Sequence, residues 1–125
     1  MLYAILCYNS EEAIASWTKE EDDAVMARLM VVNDRLAKAG KFGPTVRLRP
    51  TNTATTLRKD LQPPLVTDGP YAETKEALLG FYTVDVSGPE EALEIARELG
   101  AANPGGAYEI RPISLLLPGV GVGVP

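Results

Sequence analysis

The ten residues from Thr67 to Glu76 concentrate the side chains best suited to chemistry, in the order Thr-Asp-Gly-Pro-Tyr-Ala-Glu-Thr-Lys-Glu. An Asp directly before Gly-Pro can hold its carboxylate over a turn, because the glycine takes a backbone conformation closed to other residues. If this turn faces a cavity, loss of solvent raises the pKa of Asp68 toward the range of a general acid or base. Asp68 is therefore a candidate catalytic residue. The alternative is an Asx cap that only bonds the amides of its own turn.

The neighbours of Asp68 are candidate ligand contacts. Gly69 and Pro70 shape the turn, and Tyr71 either anchors it by packing or offers a hydroxyl that needs a partner when buried. Glu73 and Lys75 either contact a polar ligand at the cavity mouth or form solvated ion pairs of little energetic consequence. We predict that these five residues line a ligand site.

Two further candidates lie in predicted strands. Tyr82 either packs in the core or projects its hydroxyl into a cavity. Arg111 lies within a predicted strand, where a charged side chain is unusual without a partner. It either pairs with Asp85 across strands or binds an anionic substrate as a bidentate fork. Together with Asp68, Tyr82 and Arg111 complete the set of candidate catalytic residues.

The sequence contains no histidine. This excludes Ser-His-Asp and Cys-His sites, imidazole zinc sites and histidine-ligated haem. The acidic run from Glu20 to Asp23 is typical of a first helical turn, where the helix dipole favours anions, and adjacent helical residues diverge too far to share an ion. We therefore predict neither a metal site nor a cofactor. Cys7 has no partner within the chain for a disulfide, and we expect it to be reduced and buried.

Two helices are predicted to support these residues. The first runs from Lys19 to Ala39, because Thr18 and Glu21 form a capping box and Gly40 supplies a left-handed stop. Asn9 to Glu12 before it is expected to be a polar loop. The second helix opens at Ser87-Gly88-Pro89-Glu90 and ends at Gly100.

The strands are predicted from apolar or β-branched runs between turn residues. A short strand is predicted at Leu65–Thr67, and five others are predicted at Leu2–Tyr8, Pro44–Arg49, Thr53–Arg58, Leu78–Val86 and Tyr108–Leu117. Pro50-Thr51-Asn52 suits a turn that joins the strands Pro44–Arg49 and Thr53–Arg58 into a hairpin.

The element order predicts an α+β fold: a ferredoxin-like antiparallel sheet with two helices on one face and a β-hairpin insertion. We expect one domain over residues 1–117 and a flexible tail over 118–125, or a tail that lies along a partner's surface. One sheet face stays uncovered within a single chain. We therefore predict a homodimer whose two sheets pack face to face around a shared cavity.

The stretch Asp68-Gly69-Pro70-Tyr71, followed by Leu79-Gly80-Phe81-Tyr82, resembles the signature of the YCII-related proteins that carry an Asp-Gly-Pro-Phe motif. Tyr71 replaces the usual Phe, and the resemblance extends from Leu2–Leu6 to Tyr108–Ile113. It implies a dimeric α/β-barrel, similar in fold to small isomerases, dehydrochlorinases and monooxygenases. The His-Asp pair of some relatives has no counterpart in a chain without histidine. Relatives are often encoded beside extracytoplasmic-function sigma factors, which implies a regulatory alternative.

The net charge is −5 and the sequence pI near 4.7, so nucleic acid is not an expected partner. No apolar run approaches the length of a membrane span, and no signal peptide is apparent, so we expect a cytoplasmic protein without membrane partners. The predicted function is small-molecule binding in an inter-sheet cavity beside Asp68. The alternatives are a cofactor-independent isomerase- or lyase-like enzyme that uses Asp68 for proton transfer, and a regulatory partner in transcription signalling.

Overall fold

A computed structural model describes residues 1–119 of the chain. A 3₁₀ turn, Thr51–Thr53, separates the second and third strands. The strands and helices of this part of the chain are β1 Leu2–Asn9, α1 Glu11–Ala15, α2 Lys19–Lys38, β2 Phe42–Arg47, β3 Thr55–Arg58, β4 Leu65–Asp68, β5 Ala77–Asp85, α3 Pro89–Ala102 and β6 Ala107–Pro112.

The main sheet has the strand order β2-β5-β1-β6, and every neighbouring pair is antiparallel. Two β-α-β halves that share one sheet in this order give the ferredoxin-like arrangement. The predicted α+β fold is therefore confirmed.

The core lies between one face of this sheet and the two long helices. Ile5 pairs with Tyr82, and Tyr3 pairs with Val84, in the two central strands. All four side chains are buried, as alternation along a strand requires when one face is covered. The helical side chains buried in the same cluster are Val25, Leu29, Leu36, Ala92, Ile95, Ala96, Leu99 and Ala102.

The start of α2 follows the prediction. The Thr18 hydroxyl accepts a hydrogen bond from the Glu21 amide at 3.1 Å, and the Glu21 carboxylate accepts one from the Thr18 amide at 3.3 Å. This reciprocal cap satisfies two helix-terminal donors. At the other end, Gly40 has φ +72°, which fits the predicted left-handed stop.

Two helix predictions are wrong: one short helix was not predicted, and the second long helix extends further than predicted. The expected polar loop after β1 contains the short helix α1, whose N-cap is Ser10. The Ser10 hydroxyl accepts from the Ala13 amide at 3.2 Å. The second long helix does not end at Gly100 but continues to Ala102, because Leu99 and Ala102 both bury their side chains in the core. Tertiary burial here overrides the low helix propensity of glycine.

The predicted hairpin has the wrong partners. β2 pairs with β5 in the main sheet, whereas β3 pairs with β4 in a separate two-stranded sheet, with Thr55 opposite Asp68 and Arg58 opposite Leu65. Residues 51–53 form a 3₁₀ turn that redirects the chain rather than a hairpin turn. We call residues 55–68, comprising β3, β4 and their connection, the β3–β4 arm.

The last strand is shorter than predicted. β6 ends at Pro112 rather than Leu117, because proline offers no N–H to the ladder. One further bond, from the Ile113 amide to the Leu2 carbonyl at 2.9 Å, anchors the chain beyond the strand. Of the predicted tail over 118–125, residues 120–125 lie outside the described part of the chain.

Candidate functional site

The turn at residues 68–71, called the Asp68 turn below, follows directly after β4. Gly69 has φ +108°, a conformation that other residues rarely adopt. Its amide donates to the Ala54 carbonyl at 2.8 Å, and its carbonyl accepts from the Thr56 hydroxyl at 2.8 Å. These two hydrogen bonds hold the turn against the start of β3 and the residue before it.

A cleft of about 290 Å³ lies beside this turn. Its wall combines the 3₁₀ turn with the segment that leads into β5. The lining residues are Thr51, Asn52, Gly69, Pro70, Ala72, Glu73, Thr74 and Ala77. This lining, which lies wholly within residues 1–119, holds one carboxylate, one carboxamide and two hydroxyls, but no cationic side chain.

Helix α1 fixes the far wall of the cleft through Glu11. The Glu11 carboxylate accepts hydrogen bonds from the Thr51 amide, at 2.8 Å, and from the Thr51 hydroxyl. Both bonds favour the charged form, so they hold the pKa of Glu11 below its ordinary value. This contact was not predicted from the sequence. Its only local signal is Ser10 before two glutamates, which is typical of a helix start.

Three of the five predicted ligand contacts line the cleft: Gly69, Pro70 and Glu73. Lys75 does not line it. Neither does Tyr71, which is 77% exposed. The Arg58 guanidinium lies over the Tyr71 ring, 5.6 Å from its centroid, so the aromatic ring packs against a cation of the arm rather than against the core.

The three candidate catalytic residues do not meet within one chain. Asp68 is exposed on the arm, and it is not part of the cleft lining. Tyr82 is buried on the helix-covered face of the sheet. Arg111 pairs with Ala4 and therefore lies on the opposite face.

The proposed pairing of Arg111 with Asp85 is not found. Strand β1 lies between β5 and β6, so the two side chains belong to strands that do not touch. The Asp85 carboxylate instead accepts from the Met1 ammonium at 3.1 Å, and the nearest carboxylate to Arg111 is Glu109 at 3.8 Å.

Across residues 1–119, no group of three or more carboxylate or thiol side chains is placed to hold a metal ion. The run from Glu20 to Asp23 lies in the first turn of α2, where Glu21 serves the cap. In the same part of the chain, none of the helices combines the length and the apolar composition that a membrane span requires.

Comparison of the sequence with known proteins identifies one family. A family model described as the YCII-related domain matches residues 1–116. An uncharacterized protein of Rhizobium meliloti (strain 1021) is 52% identical over 120 residues, which cover 95% of this chain and 97% of that relative. Because the family model covers residues 1–116 and the relative is 52% identical over 120 residues, this chain belongs to the YCII-related domain family.

Proposed function

We propose that the protein is a homodimer that binds a small polar molecule in the cleft beside the Asp68 turn. The observation that carries this proposal is the construction of the cleft. The amide and the carbonyl of Gly69 both make hydrogen bonds, and the Thr51 amide donates a hydrogen bond to the Glu11 carboxylate. A pocket whose walls are held in place before the ligand arrives loses less conformational entropy on binding.

The lining suggests the chemistry of the ligand. Glu73 offers an acceptor with a negative charge, and Asn52 and the two threonines offer further oxygen atoms. A ligand rich in donors, such as a polyol or a small amine, complements this set, whereas an anion would meet the Glu73 charge without a cation to offset it. The volume, about 290 Å³, lies at the low end for ligand pockets and suits a small metabolite.

The open face of the main sheet favours the proposed homodimer. Alternation places Ala4, Leu6, Val46 and Phe81 on the face opposite to the helices. These apolar side chains remain partly accessible in the single chain, with Val46 36% exposed. A second sheet packed on this face would remove them from water, at roughly 25 cal/mol for each Å² buried.

The β3–β4 arm also favours a partner. Leu57, Leu65 and Val66 are 58%, 48% and 62% exposed on it. An isolated two-stranded sheet is marginally stable in water and needs a further layer. We propose that the second copy supplies this layer. Asp68, exposed in the single chain, would then lie near a subunit boundary.

Binding is preferred to catalysis because of where the candidate catalytic groups lie. Asp68, Tyr82 and Arg111 occupy the arm, the covered sheet face and the open sheet face, respectively. An acid–base mechanism needs its groups within hydrogen-bond reach of one substrate. The wall of the cleft itself offers only Glu73 as a titratable side chain.

A thermal-shift screen of the purified protein against polyols and small amines tests the proposal. A ligand at about 100 times its Kd stabilises the native state by about 2.7 kcal/mol, which for a chain of this length raises Tm by roughly 10 °C. We expect Glu73→Gln to abolish that rise. Glu76→Gln is the matched control, because Glu76 is an exposed carboxylate three residues away that does not line the cleft.

Asp68→Asn tests whether the Asp68 carboxylate contributes to the ligand site. A reduced ligand shift in this variant ties the Asp68 carboxylate to the site, whereas an unchanged shift limits the site to the cleft lining. Equal ligand shifts in Glu73→Gln and the wild type would contradict ligand binding in the cleft.

A further inference from the structure

A second cavity, of about 190 Å³, lies between the covered face of the sheet and the helices α1 and α2. Its apolar wall includes Trp17, Val25 and Leu29, and its sheet side includes Cys7 and Tyr82. None of its lining residues belongs to the cleft beside the Asp68 turn. The two spaces are therefore separate candidate sites.

Two polar side chains, Asn33 on α2 and Tyr82 on β5, line this cavity. Asn33 Oδ1 is buried without a hydrogen-bond partner among residues 1–119, and the Tyr82 hydroxyl can both donate and accept a hydrogen bond. Asn33 also interrupts the apolar stripe that Val25, Leu29 and Leu36 form on α2. An unpaired buried polar group destabilises a fold, so its presence here needs an explanation that packing does not supply.

The groups that β1 and β5 present to the cavity are uncharged. Burial raises the pKa of the Cys7 thiol to about 12, and burial also raises the pKa of the Tyr82 hydroxyl. Both groups therefore keep their protons at neutral pH. The charged residues of the lining are Arg47 and Asp22, and they face each other across 3.9 Å. A charged ligand would thus lose its hydration without gaining an unpaired counterion.

We propose that this cavity binds a neutral, mostly apolar molecule of the size of a monosubstituted benzene, which exchanges hydrogen bonds with Asn33 and Tyr82. An apolar cavity of about 150 Å³ admits benzene, so a space of about 190 Å³ leaves room for one polar substituent. Apolar walls with a few convergent polar groups are the usual composition of such sites.

Phenol, toluene and benzoate form a matched set of probes, because they share the ring but carry a neutral polar, an apolar and an anionic substituent. The chain contains one tryptophan, Trp17, and it lines the cavity, so its fluorescence reports occupancy directly. Each probe is titrated into the purified full-length protein at neutral pH. We expect phenol to bind more tightly than toluene, and benzoate to bind more weakly than either.

Asn33→Leu and Tyr82→Phe test the hydrogen bonds at nearly constant side-chain volume. Each is expected to weaken phenol binding about fivefold to tenfold and to leave toluene binding unchanged or stronger. Asn33→Leu is also expected to retain or raise Tm, because it removes an unpaired polar atom. Glu73→Gln, at the other cleft, should leave phenol binding unchanged, so failure of one site is distinguishable from failure of the other.

Three results would overturn the proposal. The first is a Trp17 spectrum that none of the probes changes at millimolar concentration. The second is a phenol affinity that neither variant lowers. The third is a large loss of Tm in Asn33→Leu, which would assign Asn33 to a structural hydrogen bond in the free protein.

Discussion

Replacing Gly69 with alanine tests how the Asp68 turn is built. The backbone there has φ +108°, and a Cβ added at this position meets no atom within 4 Å. The substitution therefore causes backbone strain without a steric clash. A non-glycine residue in such a conformation costs about 1–3 kcal/mol, and the lower entropy of the unfolded chain offsets roughly 0.4–1 kcal/mol of this. We expect a net loss of about 1–2 kcal/mol.

If the turn instead relaxes to negative φ, it loses the bonds from the Gly69 amide to Ala54 and from Thr56 to the Gly69 carbonyl, both 2.8 Å long. Each such bond contributes roughly 0.5–1.5 kcal/mol, so either route weakens the turn by a similar amount. In both cases we expect Gly69→Ala to lose the ligand-induced rise in Tm.

Gly40→Ala is the matched control. Gly40 also has positive φ, +72°, and open space around its Cβ position, but it lies at the end of α2 and outside the cleft. We expect a comparable loss of stability, about 1 kcal/mol, with the ligand shift intact.

Urea unfolding followed by circular dichroism measures the stabilities, and amide exchange at position 69 measures opening of the Asp68 turn. The reasoning is refuted if Gly69→Ala keeps wild-type stability, wild-type exchange and the full ligand shift, because the left-handed backbone would then have no role.

Three further predictions concern the Thr18 capping box, the Cys7 thiol and the contact between Glu11 and Thr51. Thr18→Ala removes a capping box that satisfies the Glu21 amide, and a loss of about 1 kcal/mol is expected by urea unfolding; an unchanged midpoint would contradict the cap's contribution. Cys7, with its pKa raised by burial to about 12, should react with iodoacetamide at pH 8 far more slowly than in urea. Because the folded state holds this proton more tightly, its contribution to stability is complete below pH 9 and declines as the pH rises toward 12; rapid alkylation of the native protein would contradict burial. Glu11→Gln removes the charge that accepts both Thr51 bonds and should weaken ligand binding in the cleft roughly fivefold. Because the pKa of Glu11 is lowered, its contribution to stability is present above the ordinary pKa of a glutamate side chain and is lost as the pH falls through the lowered value; equal urea midpoints for the wild type and Glu11→Gln at neutral pH would contradict the role of this contact.

Local chemistry made part of the fold predictable. The α2 cap rests on Thr18 and Glu21, three residues apart, and the alternation of β5 places Tyr82 and Val84 on the covered face. Interactions of short sequence range of this kind can be identified from residue types alone.

The errors in strand pairing and in the site concern interactions of long sequence range. Which strand pairs with β3 depends on competition between β2 and β4, and the local turn at residues 51–53 does not decide it. The contact between Glu11 and Thr51 joins residues 40 positions apart, and no local pattern specifies it. Tyr71 lies outside the lining of the cleft, and its packing partner, Arg58, is set by the register of the arm.

Asn33 shows what the sequence could have signalled. A polar residue within the apolar stripe of α2 marks a position where packing alone does not determine the residue type. Its meaning depends on Tyr82, which approaches from a strand 49 positions away in sequence, so the cavity becomes apparent only once helix and sheet are packed together.

The measurement that tests the central claim most directly is the mass of the purified chain in solution, determined by light scattering across a range of concentrations. One chain has a mass of 13.4 kDa. A second copy on the open sheet face and the β3–β4 arm predicts twice that value, with Phe81→Glu shifting the mass toward one chain. A single-chain mass at every concentration would contradict the dimer on which the proposed position of Asp68 depends.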